Sequence, residues 1–119
     1  MTIQFICYPR CTTCAKARQW LEGSGIAYNM RDIKEQNPSE TELKSWIKKS
    51  GLPLRRFFNT SGLQYGALSL ADRLDAMSDE EKIALLATDG MLVKRPILVA
   101  GETVLVGFKE DVWKVALGV

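Results

Sequence analysis

The chain has 119 residues, a length that supports one hydrophobic core. Hydrophobic residues make up 46% and charged residues 25%, which excludes a disordered or low-complexity chain. The formal net charge of +2 does not call for a nucleic-acid partner. Three cysteines and no histidine exclude Cys-His and Ser-His-Asp catalysis and any histidine-bearing zinc site.

Thr2 to Tyr8 alternates as a strand, with Ile3, Phe5 and Cys7 on one face and Gln4, Ile6 and Tyr8 on the other. Both faces are largely apolar, as in a strand covered on both sides. Cys7 reads as a small buried residue, with a third redox thiol as the alternative.

Tyr8-Pro9-Arg10-Cys11-Thr12-Thr13-Cys14 follows, and a helix is expected from Thr12 to Gly23. A cysteine at a helix N-terminus meets unpaired backbone N–H groups and the positive end of the helix dipole. Arg10, Lys16 and Arg18 lie close in sequence, and no acid precedes Glu22. Cys11 is therefore expected to have a lowered pKa and to act as the nucleophile, with Cys14 as its resolving partner. The chain shows no signal-peptide pattern and no run long enough to cross a membrane, so a cytoplasmic protein is expected. In a reducing compartment a C-x-x-C points to catalysis, redox sensing or metal binding rather than to a structural staple.

Ile26 to Ile33 reads as a second strand, parallel to the first through a right-handed βαβ crossover. Helices are then expected through residues 38–88. Ser39 with Glu42 and Ser78 with Glu81 have capping-box spacing. Leu43, Trp46 and Ile47 form one buried stripe, and Leu70, Leu74 and Met77 another. Pro53 to Phe58 is a short helical piece, and Asn59-Thr60-Ser61-Gly62 a turn. Pro96 to Ala100 and Thr103 to Val106 form an antiparallel pair across Gly101-Glu102. Lys109 to Leu117 closes as a helix with Val112, Trp113, Ala116 and Leu117 inward. The expected fold is a single α/β domain, residues 1–119, with a mixed four-stranded sheet. Residues 1–33 and 91–119 form a thioredoxin-like βαβ…ββα core, and a helical block at about 38–88 is inserted between them.

Four blocks carry a family resemblance: Tyr8-x-x-Cys11-x-x-Cys14-x-Lys16-Ala17, Asn59-Thr60-Ser61-Gly62, Lys94-Arg95-Pro96-Ile97, and Val106-Gly107-Phe108-x-Glu110-x-x-Trp113. Together they resemble the ArsC family, which includes glutaredoxin-coupled arsenate reductases and Spx/MgsR-type regulators. The resemblance implies a cis peptide bond before Pro96, facing the reactive cysteine. It implies attack on a small oxyanion or disulfide substrate by Cys11, with Arg95 in the site. It implies no bound cofactor, but an external thiol reductant such as glutathione with glutaredoxin, or thioredoxin. Family reductases hold the oxyanion with three arginines; Arg95 matches one, while Asn59 and Gly107 stand near the other two. Arg10, Arg55 and Arg56 are candidates to supply the missing charge. Arg10, Asn59, Arg95 and Pro96 are thus the expected substrate-binding residues. The regulators share the C-x-x-C, which implies the RNA polymerase α subunit as an alternative partner. They carry a charged C-terminal extension, whereas this sequence ends at Val119. Neither direct nucleic-acid contact nor membrane association is expected.

Overall fold

The computed structural model describes residues 2–119. The sheet has four strands: β1 (Ile3–Cys7), β2 (Asn29–Asp32), β3 (Ile97–Ala100) and β4 (Thr103–Val106). Their order is β2-β1-β3-β4, with β1 parallel to β2 and the other two pairings antiparallel. Between β1 and β2 runs α1 (Thr12–Gly23). The helical block comprises α2 (Glu40–Ser50), α3 (Leu63–Ala67), α4 (Leu70–Arg73) and α5 (Asp79–Leu86), with 3₁₀ turns at Leu54–Phe57 and Leu74–Ala76. A further 3₁₀ turn, Gly90–Leu92, leads to β3, and α6 (Glu110–Leu117) closes the chain. The expected thioredoxin-like mixed sheet is therefore the observed one. No described helix is long and apolar enough to cross a membrane.

Strand parity divides the core. Ile6, Ile97 and Val104 pack against the helical block with Leu43, Trp46, Phe57, Phe58 and Leu70. Phe5, Cys7, Leu98 and Ala100 point the other way, against Cys14, Ala17 and Leu21 of α1 and Trp113 of α6. Cys7 and Cys14 thus share one face of the sheet, brought there by a strand period of two and a helix period of 3.6.

The block is stapled locally. Ser39 and Ser78 each accept from the backbone N–H three residues on, while Glu42 and Glu81 return the bond, so both capping boxes form. Glu42 is also bound by Arg31, whose Nη1 and Nη2 lie 2.6 and 3.0 Å from its two carboxylate oxygens. Asn37 Nδ2 donates to the Ala87 carbonyl at 2.6 Å, tying the two ends of the block together across fifty residues. Gly90 passes the end of β2 so closely that a Cβ there would overlap the Ile33 carbonyl oxygen and stand 2.7 Å from its carbon. Glycine is required at that approach.

Three local expectations change. The second strand covers only Asn29–Asp32, and Met30 is 42% exposed, because β2 is an edge strand whose outer residues meet solvent. Leu70 to Met77 is not one helix but α4 followed by a 3₁₀ turn, although Leu70 and Leu74 are buried as expected. In α6 only Trp113 is buried; Val112 is 48% exposed and Ala116 is also at the surface. The indole fills the available space, edge-on to Phe5, Trp20 and Phe108, and donates to the Gly107 carbonyl at 3.0 Å.

Candidate active site

Cys11 is the N-cap of α1, with extended backbone angles. Its own N–H donates to the Tyr8 carbonyl at 2.9 Å, and its carbonyl accepts from Ala15 at 3.0 Å. No side chain caps this helix, and no acid occupies its first turn. The Cys11 thiol, half-buried, is therefore the group standing over the free N–H donors.

Cys14 lies one turn on and is 2% exposed. Its sulfur accepts from the Tyr8 N–H at 3.4 Å. All three cysteines are free thiols. Hydrogen bonding to Cys7, together with burial, pushes the Cys14 thiol well above its ordinary pKa. It therefore waits as a neutral thiol behind Cys11.

A cavity of about 500 Å³ opens at Cys11. Thr13 of α1 contributes to its wall, as do Asn59, Ser61, Gly62, Leu63 and Gln64 from the block, and Met91, Lys94 and Arg95 from the segment before β3. Cys11, Asn59 and Arg95 are thus brought together from positions up to 84 residues apart. Gly62 lets the chain fold back on Asn59: a Cβ at Gly62 would meet Asn59 Nδ2 at 2.7 Å.

Arg95 is held from behind. Its Nη1 donates to the Met91 and Val93 carbonyls at 3.3 and 3.4 Å, and its guanidinium carbon lies 5.4 Å from the centre of the Tyr8 ring. Its Nε–H is buried and has no hydrogen-bond partner among the described residues. The Arg95–Pro96 bond is cis. Pro96 is buried at the start of β3 and accepts from the Gly107 N–H at 2.8 Å; it does not line the cavity.

Other expected residues lie elsewhere. Arg10 is exposed and outside the cavity wall, because the chain turns sharply between Tyr8 and Cys11. Arg55 lies 3.8 Å from Asp75, and Arg56 lines a different hollow with Phe108 and Lys109. Gly107 has φ +72°, a conformation that strains an arginine. Lys94, Ser61 and Gln64 also line the cavity, although the sequence alone does not point to them as site residues. Lys94 and Ser61 fall inside the Lys94–Ile97 and Asn59–Gly62 motifs, and that position is the signal the sequence carries. Among the described residues no three His, Cys, Asp or Glu side chains converge as ligands for a metal.

The chain is similar to known proteins along nearly its whole length. The chain is 53% identical over 111 residues to the uncharacterized protein YusI of Bacillus subtilis, covering 93% of this chain and 94% of that protein. It is 28% identical to the regulatory protein MgsR of the same organism, covering 89% and 82%. A crystal structure of an ArsC-family-related protein from Bacteroides fragilis superposes with a TM-score of 0.94 at 51% identity, covering 97% of both chains. The model of the ArsC family matches residues 7–116, and the chain belongs to that family.

Proposed function

We propose that the chain is a thiol oxidoreductase in which Cys11 attacks an oxidised substrate, a disulfide or an oxyanion such as arsenate, and Cys14 resolves the adduct. The observation that carries this reading is the cavity that sets the Cys11 thiol, at a helix N-terminus, opposite Arg95 and beside Asn59 and Lys94. With a disulfide R–S–S–R′, the Cys11 thiolate forms a Cys11–S–S–R bond and R′S⁻ leaves. Cys14 then attacks Cys11 Sγ, its proton passes to the departing sulfur, which leaves as RSH, and the two cysteines have supplied two electrons. An external dithiol or glutathione returns them. The raised Cys14 pKa favours this order, because the neutral Cys14 thiol leaves the first attack to Cys11. Arg95, with Lys94, supplies the charge for an anionic substrate; an arginine is suited to this by its fixed fork of donors.

NADPH oxidation coupled through glutaredoxin or thioredoxin, with arsenate and with glutathione disulfide as separate substrates, tests the proposal. Turnover is expected with at least one substrate, falling to background in Cys11→Ser. No turnover with either substrate and either reductant overturns it.

The match to MgsR favours a second reading, a redox-responsive regulator whose Cys11–Cys14 disulfide alters binding to the RNA polymerase α subunit. A pull-down of the α C-terminal domain by reduced and by oxidised chain distinguishes it: redox-dependent capture without turnover selects the regulator.

A further inference from the structure

Cys7 has no role in the cycle above, yet the fold places it against the resolving cysteine. It ends β1, is 1% exposed, and shares the buried cluster of Cys14, Ala17 and Leu21. A second hollow, of about 280 Å³, opens on this side of the chain. Cys7 and Cys14 both line it, with Pro9 and Arg18 at hand, whereas Cys11 lines the substrate cavity and Cys7 and Cys14 do not. Cys14 thus shares its hollow with Cys7, while Cys11, one helical turn before it, faces the other cavity. The next residue after Cys7, Tyr8, donates its N–H to Cys14 Sγ, which fixes the end of β1 against the first turn of α1.

We infer that Cys7 is the third thiol of the cycle: it displaces Cys11 from the Cys11–Cys14 disulfide, leaving the oxidised chain as Cys7–Cys14 with Cys11 free. This rests on the thiol-redox reading above. The step is a thiol–disulfide exchange. The Cys7 sulfur bonds to Cys14 Sγ, the Cys11–Cys14 bond breaks, and the proton lost by Cys7 is regained by Cys11 through solvent. No electrons enter or leave the chain in this step, the substrate disulfide having been the oxidant.

Solvation sets its direction. In the reduced chain Cys7 and Cys14 are buried in one apolar cluster, where Cys14 Sγ accepts from the Tyr8 N–H. Once Cys14 is bonded to Cys11, the Cys7 thiol remains in that cluster as a buried polar group. After the exchange the buried group is an apolar disulfide, and the thiol left over is Cys11, at an open cavity and a helix N-terminus. Moving the unpaired polar group from the core to solvent is favourable. The nucleophile is thereby released for a second encounter while the oxidising equivalent is stored behind it.

The sequence supplies a clean assay. Trypsin cuts after Arg10 and Lys16, so Cys7 lies in peptide 1–10 and both Cys11 and Cys14 lie in peptide 11–16. The full chain is oxidised with glutathione disulfide, quenched with N-ethylmaleimide in denaturant so that buried thiols are labelled, digested without reductant and analysed by mass spectrometry. Most oxidised wild type is expected as peptide 1–10 cross-linked to 11–16 through Cys14, with maleimide on Cys11. In Cys7→Ser, and in Cys7→Ala as a second variant, the expected product is the internal 11–16 disulfide, with Cys11 labelling at least fivefold lower than in wild type. Wild type that carries only the internal disulfide, with maleimide on Cys7, overturns the relay and leaves the Cys11–Cys14 step standing. A persistent Cys11–glutathione adduct with Cys7 and Cys14 both labelled overturns the relay and the resolving role together. The wild-type map decides the matter even where a Cys7 variant does not fold.

Discussion

Arg95→Met separates what this residue does for the site from what it does for the fold. On the stabilising side, Nη1 makes two hydrogen bonds at 3.3 and 3.4 Å, beyond the usual 2.7–3.2 Å range. Such long contacts contribute about 0.5 kcal/mol each, and the stacking over Tyr8 about 0.5–2 kcal/mol. Against these stands the buried Nε–H, whose lack of a partner costs about 1–3 kcal/mol. The two sides nearly cancel. Methionine keeps a flexible apolar stem and a sulfur for the Tyr8 ring while removing the orphan donor. At ~2.1 cal/mol/K per residue, the 119-residue chain has an unfolding entropy of about 250 cal/mol/K, so 1 kcal/mol moves Tm by about 4 °C. The expected Tm change is therefore within about 4 °C in either direction. The cavity, by contrast, loses a cation. One charged interaction at the low end, about 1.5 kcal/mol, is a factor of about ten. The assay compares alkylation of Cys11 by anionic iodoacetate and by neutral iodoacetamide; the ratio of the two rates is expected to fall about tenfold in Arg95→Met. An unchanged ratio would show that Arg95 does not act on anions at Cys11. A Tm loss above about 8 °C would show that the side chain is chiefly a structural member.

Two further perturbations probe the scaffold that sets this geometry. Gly90→Ala forces a Cβ into the Ile33 carbonyl, and since both partners are backbone no rotamer relieves the overlap; a loss of about 3 kcal/mol, or roughly 12 °C in Tm, is expected by thermal unfolding, and a loss under about 4 °C would mean that the close approach relaxes freely. Glu42→Gln tests the bidentate contact with Arg31. The Arg31 guanidinium, ahead of the capping bonds from Ser39, holds the Glu42 carboxyl below its ordinary pKa. A depressed carboxylate stabilises the fold above its unfolded pKa of about 4.3 and loses that contribution as pH falls through the folded value. Glu42 is over a third exposed, so the pair is worth about 1 kcal/mol at most. Glu42→Gln is expected to lower Tm by up to about 4 °C at pH 7, with the two proteins converging in acid as pH falls through the folded value; a difference that persists there would trace to the amide rather than to the charge.

What could be read from the sequence was what local periodicity specifies. The parity of Ile3 to Cys7 placed Cys7 on the face of Phe5, and the stripe of α1 placed Cys14 and Leu21 inward. Capping-box spacing at Ser39 and Ser78 marked two helix starts. Alternation predicts a strand over Ile26 to Ile33, longer than the observed Asn29–Asp32, because it does not reveal that the strand lies at a sheet edge. The stripe points Val112 and Ala116 inward because it does not show how much room one indole takes. At the site, Arg10 adjoins Cys11 in sequence and yet stays outside the cavity, while Lys94, more than eighty residues away, lines it. Sequence neighbours across a tight turn diverge, and convergence of distant segments is a property of the packing.

The helical block is best understood as the second half of this site. The thioredoxin-like strands and α1 supply Cys11 and the Arg95–Pro96 corner, but alone they leave the thiol on an open edge. Asn59 to Gln64, from the block, provides the facing wall. That wall is held by several independent ties. The Asn59 N–H donates to the Leu92 carbonyl at 2.8 Å, the Lys94 N–H to the Phe57 carbonyl at 2.8 Å, and Phe58 bridges Val93 in antiparallel pairing. These contacts join the block directly to the chain that carries Arg95. Asn37 with Ala87, and Gly90 against Ile33, close the far side. The cationic wall is thus anchored to the block, and the facing turn from Tyr8 to Cys11 is closed by the Cys11 N–H donating to the Tyr8 carbonyl at 2.9 Å. On the proposed thiol-redox reading, the chemistry falls to the thiols of β1 and α1, and the block lines the way to them.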